Sequence, residues 1–253
     1  MSASAFDPAA PVKGQWFAPT HWSVVMAAKQ GDGSGAGAAM DVLCRTYWPP
    51  LYSYIRRDGC HSAEEAEDLT QEFFSRLLAR NYLDHLHHQE GKFRSFLLTF
   101  LKNFLSEQRR RTKAQKRGGG CVLIPLNMPT GGEGYLREPV DDLTPDEVFD
   151  RRWAQTVMQA AVDHLREEYV ARGQAELFEV LQDHQPREPG GRSYAEIGSD
   201  FGMTEAAVKS AVQRMRHRHR ELLREQIAQT VSRPQEIEEE LRHFRAVLSR
   251  TRG

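Results

Sequence analysis

Residues 193–224, SYAEIGSDFGMTEAAVKSAVQRMRHRHRELLR, constrain the fold more than any other stretch of the chain. They divide into a short helix, a tight turn and a longer helix. Tyr194, Ile197 and Phe201 fall on one face of the first helix. Gly202 stands where a sharp turn needs a residue tolerant of φ > 0. Thr204 is placed to N-cap the second helix. Val208, Ala211, Val212 and Met215 give that helix an apolar stripe at i, i+3, i+4, i+7. Gly198, Gly202 and Val208 have the spacing of a helix-turn-helix, whose helices pack too closely for bulk at the first of these positions. The outward positions carry Lys209, Gln213, Arg214, Arg216, Arg218 and Arg220, with no acidic residue between 209 and 220. A polar, basic second helix behind such a turn suits the major groove of DNA. The alternative is an ordinary helical hairpin with a solvated basic face. Three independent features favour the first reading.

The rest of the chain also reads as helical. It has 253 residues, room for one large domain or two small ones, and 40% of them are hydrophobic, enough for real cores. A net charge of -1 conceals strong local asymmetry: residues 92–117 hold nine Lys/Arg against one acid, and residues 132–150 hold seven Asp/Glu against one Arg. Such blocks suggest separate tasks for separate segments. Cys44, Cys60 and Cys121 are odd in number and lack metal or redox spacing, which suits a reduced cytoplasmic setting. The N-terminus lacks the pattern of a signal peptide, and no apolar run approaches a membrane span.

Residues 1–18 are rich in Ala, Pro and Ser and are expected to be mobile; Thr20 is placed to cap a short helix bearing Trp22, Val25 and Met26, and 31–37 is a glycine-rich break. A helix is expected over 38–58, with a kink or restart at Pro49-Pro50. Ser62 caps an acidic helix to about Arg80, with Glu64 and Glu65 in its first turn. A His-rich loop, 81–91, precedes a long amphipathic helix from Phe93 to about Ala114. Residues 118–146 contain six Gly and four Pro and read as a linker, with an rms span of roughly 30 Å. Helices follow over about 146–172 and 174–184, and Pro234 opens a last one in which Ile237, Leu241, Phe244 and Leu248 share a face. Packing of that last helix on the helix-turn-helix core is favoured; self-regulation is the alternative.

Two helices of the first half carry functional signals. On 64–78, Glu65, Asp68, Gln71, Glu72 and Ser75 oppose an apolar face, a surface able to dock a basic partner, although a merely solvated face is the commoner case. On 92–117, Phe93, Phe96, Leu97, Phe100, Leu101, Phe104 and Leu105 form a seam. The other face carries Arg94, Lys102, Asn103, Arg109 and Arg110. Cations for phosphates and rings for unstacked bases are what single-stranded DNA binding needs. Most of these rings are expected to be core, leaving one or two near the helix start for a base.

Three segments in order, AEDLTQEFFSRLL (66–78), GKFRSFLLTFLKNFLSEQRRR (91–111) and SYAEIGSDFGMTEAAVKSAVQRMRHR (193–218), resemble a bacterial RNA polymerase sigma factor of the extracytoplasmic-function (ECF) type. The resemblance covers about 40–225. It implies an all-α fold: a region 2 bundle (38–117) and a region 4 helix-turn-helix domain (147–225), joined by the flexible linker 118–146 and flanked by extensions 1–37 and 226–253. It implies core RNA polymerase and promoter DNA as partners. Glu65, Asp68, Gln71 and Glu72 would meet the clamp of the largest subunit, and region 4 the flap of the second-largest. Arg94, Lys102, Asn103, Arg109 and Arg110 would read the -10 element. Thr204, Glu205, Lys209, Ser210, Gln213, Arg214 and Arg216 would read the -35 element. A base of the melted strand would enter a pocket formed by the loop 82–92, at an unstacking cost of a few kcal/mol. An anti-sigma partner is an open possibility.

Other classes fit less well. No glycine-rich nucleotide loop or nucleophile elbow points to an enzyme or cofactor. His85, His87 and His88 lack companions at metal-ligand spacing, so no metal is expected. A helix-turn-helix regulator that never joins polymerase is the serious alternative, but it has no use for a clamp-docking helix joined to a basic melting helix.

Overall fold

The computed structural model describes residues 36–59, 61–78, 91–118, 143–183 and 192–250. The expected N-terminal helix, the His-rich loop and most of the linker lie outside them. The described residues are helical: α1 (Ala36–Gly59), α2 (Ala63–Leu78), α3 (Phe93–Gly118), α4 (Pro145–Ala171), α5 (Ala175–Asp183), α6 (Tyr194–Phe201), α7 (Glu205–Gln229), a 3-10 turn at Pro234–Glu236, and α8 (Ile237–Arg250).

Local sequence sets most boundaries. Ser62 Oγ accepts from Glu65 N at 3.1 Å while Ser62 N donates to Glu65 Oε2 at 2.9 Å, a capping box that starts α2. Thr144 and Glu147 do the same for α4, with Pro145 at the first helical position. Ser193 and Glu196 do it for α6. In α1 the expected interruption is absent: the helix runs through Pro49 and Pro50. A proline inside a helix costs about 3 kcal/mol. Tyr47, Leu51 and Ile55 beside the pair are fully buried, and burial at about 1.5–3 kcal/mol each outweighs the loss.

Two cores result, and α4 contributes to both. The first joins Leu43, Tyr47, Leu51 and Ile55 of α1, Phe73 and Leu77 of α2, and Phe93, Leu97 and Leu101 of α3 with Phe149, Trp153 and Val157 of α4. The second joins Ala161, Leu165 and Tyr169 of α4 with Phe178 of α5, Ile197 of α6 and Val208, Val212 and Leu222 of α7. The first half of α4, assigned from sequence to the second domain, therefore packs in the first core. The aromatic seam of α3 is mainly core: Phe93 meets Tyr47 at 5.3 Å and Phe100 meets Phe73 at 5.2 Å.

The C-terminal helix buries its apolar face against α4 and α7. Leu241 and Phe244 of α8 are buried in the first core, with Phe244 edge-on to Trp153 at 6.1 Å. α8 also meets the C-terminal end of α7, where Arg224 pairs with Glu238 and Ile227 shares its core. Its apolar stripe shows that it must bury a face, and the fully buried Trp153 of α4 is part of the surface it meets.

Candidate nucleic-acid interface

The helix-turn-helix forms as the spacing predicts. Gly202 caps α6 at φ 63°, ψ 30°, and Met203 N donates to Gly198 O at 2.8 Å. A Cβ at Gly198 would lie 2.5 Å from the carbonyl oxygen of Met203. The close approach that excludes bulk is thus to the turn backbone, not to the second helix. Ser193 N donates to Glu196 Oε2 at 2.6 Å, and this bond, with a second from the hydroxyl, holds the Glu196 carboxyl below its usual range.

Of the predicted -35 residues, all seven are exposed, but several have structural duties. Thr204 Oγ1 accepts from Ala207 N at 3.2 Å as the N-cap of α7. Glu205 pairs with Lys209 at 2.6 Å, and the Lys209 ammonium lies 5.7 Å from the Tyr194 ring. The bond to Glu205 raises the Lys209 pKa. Ser210 Oγ donates to Ala206 O at 2.9 Å. Gln213, Arg214 and Arg216 stand outward beyond the buried Val208, Val212 and Met215. Arg218, an outward cation in the sequence, is instead half-buried: it holds Glu168 of α4 at 2.7 Å and also reaches Glu221 and Glu225. Burial alone pushes the Glu168 carboxyl up; Arg218 and Arg172 outweigh that and hold it below its usual range. Arg218 braces α7 against α4.

On α2, Glu65, Asp68 and Gln71 are exposed. Glu65 is also the capping residue, and the backbone bond from Ser62 lowers its pKa. Glu72 pairs with Arg76 at 2.6 Å; Arg76 also reaches Glu107 of α3 at 3.0 Å and lies 4.9 Å over the Phe104 ring. Arg76 therefore ties α2 to α3, and Glu72 steadies Arg76 from within α2 while its edge remains exposed.

The predicted -10 residues divide. Lys102, Asn103, Arg109 and Arg110 are exposed. Lys102 pairs with Asp146 of α4 at 2.8 Å, and Arg109 pairs with Asp58 of α1. Arg94 does not lie on this surface, contrary to its position off the aromatic seam. It is 8% exposed; its Nε donates to Glu240 Oε1 at 2.6 Å, its Nη1 to Asp150 Oδ1 at 2.9 Å, and its guanidinium lies 5.2 Å over the Trp153 ring. Glu240 is fully buried. Lys92 closes the cluster, 2.7 Å from Glu239 and 3.4 Å from Glu240. His243 Nε2 lies 3.0 Å from Asp150 Oδ2 without hydrogen-bond geometry. Sequence reasoning missed Asp150, Glu239 and Glu240. Glu239 and Glu240 were signalled only by the acidic first turn of α8, which reads equally as a dipole-compensating cap, and Asp150 only by its place in the acidic block 132–150.

No group of three potential metal ligands occurs among the described residues, and His85, His87 and His88 lie outside them. No described helix is long and apolar enough to cross a membrane.

The ECF sigma factor family model matches residues 24–225. The ECF RNA polymerase sigma factor SigE of Mycolicibacterium smegmatis is 31% identical over 203 residues, which is 78% of this chain and 66% of that protein. The chain thus spans slightly less than two thirds of that relative's length. No solved structure matches at a significant level. The family match runs from before α1 through the helix-turn-helix and stops short of α8, and the chain belongs to the ECF sigma factor family.

Proposed function

We propose that this chain is a transcription initiation factor, not an enzyme, that binds core RNA polymerase and directs it to specific promoters. In this reading Gln213, Arg214 and Arg216 of α7 read the -35 element, with Lys209 and Ser210 beside them. Lys102, Asn103, Arg109 and Arg110 of α3, with the loop before it, engage the -10 element as the strands part. Glu65, Asp68, Gln71 and Glu72 dock on the polymerase clamp, and the helix-turn-helix domain on the flap. The observation that carries the reading is one chain with an exposed acidic face on α2, a basic exposed face on α3 and a helix-turn-helix whose second helix is basic. Cations supply the salt-dependent phosphate term, and side chains at base edges supply sequence preference. The work is binding and strand separation, and it takes place in the cytoplasm where polymerase and promoters are.

Charge reversal on α2 tests the partner. Asp68→Arg with Glu72→Arg is expected to keep the fold, because surface reversals rarely unfold a protein, and to abolish most co-purification with core polymerase. Glu72 also contacts Arg76, a half-exposed pair worth up to about 1 kcal/mol. Asp68→Arg alone leaves that pair intact and should show the same direction of effect. Undiminished co-purification of both variants would reject this face as the docking surface.

A further inference from the structure

We propose that the C-terminal extension is an internal latch, in which the carboxylates of Glu239 and Glu240 occupy cations intended for DNA phosphate and hold the chain in a closed form. The proposal rests on the reading of α3 as a DNA-binding helix. Four observations carry it.

The first is Arg94. An arginine one residue into a DNA-binding helix is expected at the surface, yet its guanidinium is covered by α8 and satisfied by Glu240 and Asp150. The fork geometry of an arginine suits phosphate and carboxylate alike. The second is Lys92, which Glu239 and Glu240 engage from the same helix. The third is the backbone just before α3. Lys92 and Val231 form an antiparallel bridge. Phe93 N donates to Thr230 O at 2.8 Å, and Gly91 N to Ser232 Oγ at 2.7 Å. The amides at the start of a helix favour an anion, and here the C-terminal segment takes the first of them, that of Phe93.

The fourth is scale. α4 has 27 residues, about 40 Å of helix, and packs at one end in the α1–α3 core and at the other in the helix-turn-helix core. Two elements centred about 25 base pairs apart lie roughly 85 Å apart on straight duplex. A helix of about half that length, packed in both cores, opposes the separation that reading both elements requires. α8 reinforces that tie, because its Leu241 and Phe244 bury against Trp153 of α4 in the core that holds α3. Release of α8 would uncover Lys92, leave Arg94 with Asp150 as its carboxylate partner, and take Leu241 and Phe244 off α4.

The test uses the full chain and a 30-base-pair duplex of arbitrary sequence, so its outcome does not depend on any promoter or on polymerase. Glu239→Gln with Glu240→Gln keeps side-chain shape and removes the latch charges. The variant should bind duplex at least about tenfold tighter at 50 mM salt, with a log–log salt slope steeper by about 1.8, from two added phosphate contacts. A charge-matched control, Glu167→Gln with Glu176→Gln, removes two exposed carboxylates away from the cluster and should show neither change. Equal affinity and slope in variant and parent, or an equal gain in the control, would overturn the latch. A second measurement needs no substitution. Amide hydrogen exchange in α8 and at Phe93 of the parent chain should accelerate when duplex is added at low salt. Unchanged protection under saturating DNA would equally refute the proposal. Loss of promoter selectivity or of polymerase binding would instead bear on the proposed function and leave this result standing.

Discussion

Gly198→Ala isolates the geometry on which the helix-turn-helix depends. Alanine is normally the better helix former, by about 1 kcal/mol, so propensity alone makes this substitution stabilising. Sterics predict the reverse. The new Cβ would sit 2.5 Å from Met203 O, where carbon–oxygen contacts settle near 3.3 Å, so the turn must retreat by about 0.8 Å. It is poorly able to do so. Met203 N is bonded to Gly198 O at 2.8 Å, Gly202 is fixed in the left-handed region, and Ile197 and Val208 beside it are fully buried. Overpacking costs about 1–3 kcal/mol; a backbone obstacle puts it near the top of that range. Subtracting the propensity gain leaves about 2 kcal/mol of destabilisation, or a fall in Tm of about 4–8 °C for a chain of this size. Thermal unfolding followed by circular dichroism measures it. Gly202→Asn serves as comparison and should cost less, since Asn tolerates the left-handed region. A Gly198→Ala chain that melts at or above the parent would refute the steric argument and leave Gly198 as an ordinary helix residue.

Other consequences follow from the same structure. Arg214→Ala should weaken holoenzyme binding to a matched upstream element by about 1–3 kcal/mol while sparing a scrambled element and polymerase binding, as read by gel shift; equal loss on both probes would make Arg214 a phosphate contact. Lys102→Ala with Asn103→Ala should leave closed complexes nearly intact and slow strand opening, with rescue on a pre-melted template. Permanganate reactivity of unpaired thymines checks this, and parental melting rates on duplex would move the role elsewhere. His219 is half-buried on α7, and burial lowers its pKa. The unfolded chain therefore takes up the proton first. Its contribution is complete above the usual histidine value of about 6.5 and is lost as pH falls through the lower folded value. His219→Gln should flatten the fall in stability between neutral and mildly acidic pH, measured by urea unfolding at several pH values.

What the sequence made legible was local. Val208, Ala211, Val212 and Met215 announce the buried stripe of α7 because a helix repeats every 3.6 residues wherever it packs. Ser62 and Thr204 announce their helix starts because capping involves residues two or three positions away. The same spacing at Thr144–Glu147 and Ser193–Glu196 marks two further boundaries. What periodicity cannot supply is the identity of the opposing surface. Arg94 lies off the Phe93–Leu97–Leu101 seam and reads as exposed, yet Glu240, 146 positions away, covers it. Arg218 sits among outward cations and is taken by Glu168, 50 positions earlier. Ile237, Leu241, Phe244 and Leu248 show that α8 buries a face, but only the fold shows that Trp153 is beneath it. Pro49 and Pro50 argue locally for a break, and tertiary burial of Tyr47, Leu51 and Ile55 overrides them.

The most direct measurement of the proposed function is transcription by purified core polymerase on fragmented genomic DNA, with and without the chain, with every transcript 5′ end mapped. The account predicts discrete starts that appear only when the chain is present, share paired upstream elements about 25 base pairs apart, and disappear with Asp68→Arg. Transcripts that are unchanged by the chain, or changed only by blocking starts that core polymerase already uses, would contradict it and leave a DNA-binding regulator in its place.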